Sequence, residues 1–218
     1  RNDHTLSASS NRNGLEARMI SSFYNEKFPI LDIDKHFFLR EQMIKDTVAF
    51  FEYYTDPQVA RYILAANPQN LTEANAEIQY CRTLFKNRQG IYWSLARKED
   101  DRMIGAIGLY INSQHYRAEI CYDMARAYWN KGIMSNALHA VLQFCFNQIG
   151  IHRIEAITLK ENTASIALLN KLGFCYEGAL KNYRYYKGKP HNVEMFAITP
   201  ETALQHTIEE TIVAIAAG

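Results

Sequence analysis

The stretch from Ala118 to Phe174 constrains this chain more than any other. It carries three pieces in order. AEICYDM (118–124) reads as a buried strand. YWNKGIMSNAL (128–138) reads as a turn leading into a helix, and ENTASIALLNKLGF (161–174) as a capped helix, a stop and a new strand. A Gly-bearing turn feeding a helix N-terminus is a ready site for phosphate. A carboxylate just upstream and a hydroxyl just downstream are placed to handle protons. Together they imply an enzyme that holds a phosphorylated carrier and moves a group onto an amine.

The flanking sequence supplies a scaffold for that stretch. HFFLR (36–40) is a short strand candidate, and 41–54 has near-helical apolar spacing at Met43, Ile44, Val48, Phe51 and Tyr54. Asp56 and Pro57 make an N-cap and first helical residue. A further helix opens at 71–73 and runs to about Asn87. Ile91–Arg97 and Met103–Ile111 read as strands joined by the charged turn KEDD (98–101), and Tyr116–Met124 as the next strand. Met134, Leu138, Val141, Leu142, Cys145 and Ile149 give one apolar helix face, stopped by Gly150. A strand at 153–159, a helix at 162–172 and a hairpin pairing 174–179 with 192–198 complete the order. That order predicts one α/β (α+β) domain, with a mixed sheet of about six to seven strands flanked by helices.

The expected organisation is a flexible N-terminal extension over 1–30, the folded domain over 31–199 and a C-terminal helical tail over 200–218. Residues 1–18 are polar, without apolar period, and are expected to be disordered. They lack the apolar core of a signal peptide. The tail has apolar residues at Ala203, Ile208, Ile212 and Ile215, suited to docking on the core or to forming a homodimer. A net charge of +1 gives no bulk attraction to nucleic acid. No apolar run reaches the roughly 18 residues of a membrane span. Cys81, Cys121, Cys145 and Cys175 are scattered with no CxxC pair, so neither a metal site nor a disulfide framework is expected, and a cytoplasmic location is.

At Asn130-Lys131-Gly132 the first free N–H groups of the following helix face the turn, where the helix dipole favours an anion. No GxGxxG or GxxxxGKS/T accompanies it, which disfavours dinucleotide and nucleoside triphosphate folds. The local pattern fits equally a strand–helix loop that merely needed a glycine. The segment resembles, however, the acyl-CoA loop of the GNAT N-acetyltransferases, with the pattern Gln/Arg-x-x-Gly-x-Gly/Ala. The branch it looks like is the ribosomal-protein N-terminal acetyltransferases of the RimJ/RimL type. The likeness runs from about Asp34 to Ile198 and includes LREQ (39–42), TDPQVARY (55–62), MIGAIGLY (103–110), AEICY (118–122), the two segments above and GKPHNV (188–193).

The resemblance implies splayed strands around acetyl-CoA as co-substrate. The amides of Trp129, Asn130, Lys131, Gly132, Ile133, Met134 and Ser135 would hold its pyrophosphate, the strand ending at Met124 would pair with its pantetheine, and Asn162 would contact it too. Two departures stand out. Trp129 replaces Gln or Arg, and Met134 replaces Gly or Ala, which is expected to narrow the space near the phosphates.

The resemblance assigns Glu119 as the base, acting directly or through water. Read alone, Glu119 is more readily an outward strand glutamate facing solvent. Ser165 is the candidate acid for the departing thiolate, in the first turn of its helix; the alternative is that it only caps that helix. The superfamily's usual tyrosine position in this helix holds Leu169. An α-amine titrates near about 7.7–8.0 and a lysine near about 10.4, so a modest base suffices for a protein N-terminus.

Tyr183, Tyr185 and His191 are the candidate acceptor-binding residues beside the KGKP turn (187–190), although they read equally as sheet-edge side chains. His191-Asn192 stands where the family often has His-Asp. Lys160 and Lys171 lie within reach of a ribose phosphate or are simply solvated. The leading expectation is an Nα-acetyltransferase acting on a protein N-terminus. A small-amine acceptor, such as a polyamine or amino sugar, ranks lower because the sequence shows no acidic cluster. A non-catalytic CoA-binding protein is the third reading, opposed by the retention of Glu119, Asn162 and Ser165.

Overall fold

The computed structural model describes residues 19–206 and 208. The expected disorder of residues 1–18 concerns residues outside that range. One eight-stranded sheet organises the chain, in the order β1-β2-β3-β4-β5-β6-β8-β7. Its strands are β1 Leu31–Asp32, β2 Phe37–Glu41, β3 Gly90–Arg97, β4 Met103–Asn112, β5 Arg117–Met124, β6 Arg153–Thr158, β7 Cys175–Tyr186 and β8 Lys189–Ile198. The helices are α1 Thr47–Tyr54, α2 Pro57–Ala60, α3 Leu71–Lys86, α4 Ile133–Phe144 and α5 Thr163–Lys171. The strand beyond the expected six to seven is β1, two residues too short to leave a periodic signal.

All neighbouring pairs are antiparallel except β5 and β6. That parallel pair is joined through α4, the crossover a parallel connection needs. Pairing lasts only from Arg117↔Arg153 to Glu119↔Glu155. Beyond Glu119 the two strands diverge, and one edge of β5 runs on to Met124 without a protein partner on that side. The wedge between them is where the site forms.

Each face of the sheet has its own core. Ile104, Ile107, Ala118, Ile120 and Met124 meet Ala137, Leu138 and Val141 of α4 on one face. Ala106 and Met103 meet Phe50, Tyr53, Ala74 and Ile78 of α1 and α3 on the other. This two-sided cover is why β4 reads as a continuous apolar run and not as an alternating one. Trp93 is fully buried, and its indole N–H donates to the Pro29 carbonyl at 2.9 Å. The packed structure therefore begins before the expected boundary at residue 31. Residues 19–23 are helical, and Ile20 and Phe23 are buried in the α4-side core.

The final hairpin is longer than the sequence suggests. β7 continues through Tyr186 and turns at Lys187-Gly188, where 180–191 was expected to be loop. The register shifts between Leu180 and Arg184, around the positive-φ Asn182, and Asn182 N–H donates to the Asn192 side chain at 2.9 Å. That break, with half-exposed polar and tyrosine residues on an edge strand, hides the strand's period. The described part of the tail is helical over 200–206. It docks on its own domain through Ala203, and His206 meets the Lys171 carbonyl at 2.9 Å. Ile212 and Ile215, on which the homodimer expectation also leaned, lie outside the described residues. Among the described residues, no helix is long and apolar enough to cross a membrane.

Candidate active site

The wedge between β5 and β6 opens into a cavity of about 770 Å³. Side chains alternate along β5, so its two faces serve the two halves of the cavity. Ile120, Tyr122 and Met124 point towards α4 and α5, while Glu119, Cys121 and Asp123 point towards α1 and α3.

The α4 half has an anion cradle at its mouth. Gly132 is the residue before α4 and adopts φ 74°, with nothing within 4 Å of where a Cβ would stand. Asn130 is also left-handed, at φ 58°. The first bond within the helix is Asn136 N–H to the Gly132 carbonyl at 3.0 Å, and no side chain caps the helix. The amides of Ile133, Met134 and Ser135 are therefore left for an anion. A pyrophosphate fits this open, uncapped turn. The Met134 side chain is 6% exposed and packs into the core, and the residue also lines the cavity. Trp129 spends its indole N–H on the Met124 carbonyl at 2.7 Å, which closes the end of β5 against the loop. Lys131 donates to the Ala127 carbonyl at 2.8 Å and lies over the Tyr128 ring, so its charge stays at the loop.

Met124, Asn162 and all seven residues from Trp129 to Ser135 line the cavity. Lys171 lines it too; Lys160 does not. Asn162 caps α5 by accepting from Ser165 N–H at 3.2 Å. The cap is thus supplied by Asn162, and the Ser165 hydroxyl is released from that duty. It lies 2.8 Å from the Tyr122 hydroxyl. Burial pushes the Tyr122 phenol up to about 12, against the pull of the Ser165 contact. The phenol therefore stays protonated and can donate to Ser165 Oγ, which leaves the serine's own hydrogen free for a third group. Sequence reasoning missed Tyr122. The signal was its place in the β5 alternation, facing the helix that bears Ser165.

The other half gathers acids and tyrosines. Glu119 lines the cavity, and its carboxylate forms an ion pair with the Arg184 guanidinium from β7. Asp123 accepts from the Tyr53 hydroxyl at 2.6 Å. Burial pushes Asp123 up to about 7, although the Tyr53 and Ala106 hydrogen bonds pull the other way. Tyr54, Tyr92 and Tyr110 complete the walls with Glu77 of α3. The Tyr92 ring lies across Gly108, where a Cβ would come within 2.1 Å of it, and its hydroxyl sits 3.1 Å from Cys121 Sγ. The expectation of no acidic cluster is corrected here. Glu77, Glu119 and Asp123 lie on two elements, and only folding brings them to one cavity.

The acceptor candidates divide. Tyr183, Tyr185 and His191 are absent from the cavity lining, while their neighbour Arg184 is part of it. Tyr185 is 75% exposed and donates to the Gly188 carbonyl at 3.0 Å. His191 lies against the Tyr186 ring, 4.4 Å between centroids. Among the described residues, no group of three His, Cys, Asp or Glu side chains is placed to hold a metal ion.

Comparison with known proteins gives this arrangement a context. A family model for the GNAT acetyltransferase domain matches residues 36–175. The uncharacterized N-acetyltransferase YoaA of Bacillus subtilis is 34% identical over 172 residues, covering 78% of this chain and 97% of YoaA. The structure of RimL, a ribosomal α-N-protein acetyltransferase, superposes with a TM-score of 0.71 at 20% identity, over 80% of this chain and 96% of RimL. The microcin self-immunity acetyltransferase MccE, solved with acetyl-CoA and AMP, superposes with a TM-score of 0.69 at 17% identity, over 77% of this chain and 94% of MccE.

Proposed function

The chain belongs to the GNAT acetyltransferase family, and from that premise we propose that it transfers the acetyl group of acetyl-CoA to the α-amine of a protein N-terminus. The observation that carries the reading is the two-sided wedge. An anion cradle and a hydroxyl pair stand on one face of β5, and a carboxylate stands on the other.

Acetyl-CoA supplies a thioester acyl group and a thiolate leaving group. In this chain the amides of Ile133, Met134 and Ser135 would bind the pyrophosphate. The free edge of β5 from Ile120 to Met124 would take the pantetheine as an added strand. Glu119 accepts the amine's proton, directly or through one water. Ser165 Oγ gives its proton to the departing sulfur and is reprotonated from solvent, while the Tyr122 hydroxyl stays protonated and holds Ser165 Oγ in place by a hydrogen bond. The positive end of α5 favours negative charge at that place. All four cysteines are free thiols, which fits a reducing cytoplasm.

The α-amine reading fits an acceptor of which about a tenth is already neutral near pH 7 and an opening bordered by Arg184. RimL, whose name describes α-N-protein acetylation, shares the fold. A second reading, a small cationic amine, is favoured by Glu77 and Asp123 in the acceptor half. Free-thiol release with acetyl-CoA decides between them. Peptides beginning with Ser, Ala, Thr or Met are expected to release thiol only when their N-termini are unblocked. Release with polyamines or aminoglycosides alone would overturn the peptide reading in favour of the second.

The hydroxyl pair makes its own prediction. Ser165→Ala is expected to lower kcat about a hundredfold with KM for acetyl-CoA little changed. Tyr122→Phe is expected to cost less, about tenfold, because the serine keeps its hydrogen. Pre-steady-state thiol release measures both. Equal losses in KM and none in kcat would mean that the pair only shapes the cofactor site.

A further inference from the structure

The acceptor half of the cavity is built for more charge than one reacting amine needs. Glu119 and Asp123 share a face of β5, four residues apart on an extended strand, so their Cα atoms are about 13 Å apart. A carboxylate serving the reacting amine at Glu119 leaves Asp123 for something further along the acceptor. Asp123 lines the cavity, with Oδ1 held by the Tyr53 hydroxyl at 2.6 Å. Glu77 of α3 lines the same space and adds a second negative group. Tyr54 of α1 is 8% exposed and lines the cavity too. Its phenol stands beside Asp123 and Glu77, whose negative charges add to burial in raising it. Burial raises the phenols of Tyr54, Tyr92 and Tyr110, so all three stay neutral. Neutral tyrosine rings around carboxylates suit a cation.

We propose that Asp123, with Glu77 and Tyr54 beside it, binds a second positive charge of the acceptor, about 13 Å along the strand from the amine being acetylated. The inference rests on the acetyl-transfer reading and narrows its acceptor to dicationic amines. A basic side chain near a peptide's N-terminus and the far amine of a polyamine present the same chemistry.

The pH dependence follows from the groups facing Asp123. Tyr53 and Tyr54 approach it from α1, Glu77 and Cys81 from α3, Tyr92 from β3 and Cys121 from its own strand. All the phenols and thiols among these are shifted upward and stay neutral near neutral pH, while Asp123 changes charge within its raised range, about 7. A carboxyl with a raised value is largely neutral below that pH and ionised above it. Alkyl amines stay protonated to about 10. Affinity for a second cation is therefore expected to rise between about pH 6 and pH 8.

Calorimetry of the full chain with diaminooctane and with octylamine tests this without requiring turnover. The wild type is expected to bind the diamine about tenfold tighter than the monoamine at about pH 8, with the ratio shrinking towards about pH 6. In Asp123→Asn, which keeps the shape and an oxygen for Tyr53, the ratio is expected to fall to about one at both pH values. Glu77→Gln is the second variant and is expected to lower the ratio part of the way. Circular dichroism melts verify that each variant folds. A wild-type ratio near one, or a ratio unchanged in Asp123→Asn, overturns the proposal. Acetylation then separates the sources. Peptides with Lys in place of norleucine at the second or third position, and polyamines against monoamines, are compared for KM. A preference for the Lys peptides alone assigns the charge to a peptide, and one for polyamines alone to a small molecule. Thiol release with every amine at equal KM overturns this inference but leaves acetyl transfer standing. Diamine-selective binding with no thiol release does the reverse.

Discussion

Asp46→Ala is expected to cost about 3–5 kcal/mol of stability, the range for removing one partner of a buried ion pair. Arg40 and Asp46 are 5% and 2% exposed. Two guanidinium nitrogens reach the carboxylate, at 2.7 and 2.8 Å. The same carboxylate accepts from Ser94 Oγ at 2.9 Å and from Met43 N–H at 2.8 Å. Burial works against the charge on Arg40, but its hydrogen bonds to Asp46 and Asp101 more than offset this and hold its pKa above the usual value. Removing Asp46 would take the acceptor away from four donor atoms, two of them on Arg40 and one each on Ser94 and Met43. Asp101 still pairs with Arg40, which keeps the loss from being larger. Asp46→Asn keeps the shape and two acceptor sites, and is expected to cost less. Urea unfolding at constant m measures the difference. A loss below about 1 kcal/mol would show that desolvation of the pair already cancels its attraction.

That pair also shows where sequence reading stops. HFFLR (36–40) was legible as a short strand, but nothing in it says that Arg40 is buried or that Asp46 lies opposite. Local chemistry was readable: Asp56 and Asn162 cap helices as expected, and Gly132 and Gly150 take the left-handed turns that close off their segments. These depend on residues two to four apart. Convergence over longer distances was not readable. Glu77 and Asp123 are separated by two strands, and Tyr122 finds Ser165 only because β5 and β6 part beyond Glu119. The alternation of Glu119, Cys121 and Asp123 was in the sequence, yet its direction was not. That direction is fixed by which face α4 covers, and α4 comes later in the chain.

Glu119→Gln is expected to lower kcat about 10²–10⁴-fold, the usual contribution of a general base, with KM for acetyl-CoA little changed. The amide keeps the volume and an oxygen towards Arg184 but is a very poor proton acceptor. The ion pair with Arg184 supplies a second comparison. If Arg184 serves only to aim the carboxylate, Arg184→Ala loosens that aim and costs less than losing the base. Acceptor basicity sharpens the test. About a tenth of α-amines are already neutral near pH 7, whereas under about a thousandth of lysine amines are. The loss in Glu119→Gln is therefore expected to be steeper for an ε-amine acceptor than for an α-amine, and smaller for both as pH rises. Rates for the two acceptors across pH, in wild type and variant, measure this. A variant with undiminished kcat would remove Glu119 from the chemistry. The proton would then have to leave through water, or through Asp123 four residues along the same face of β5.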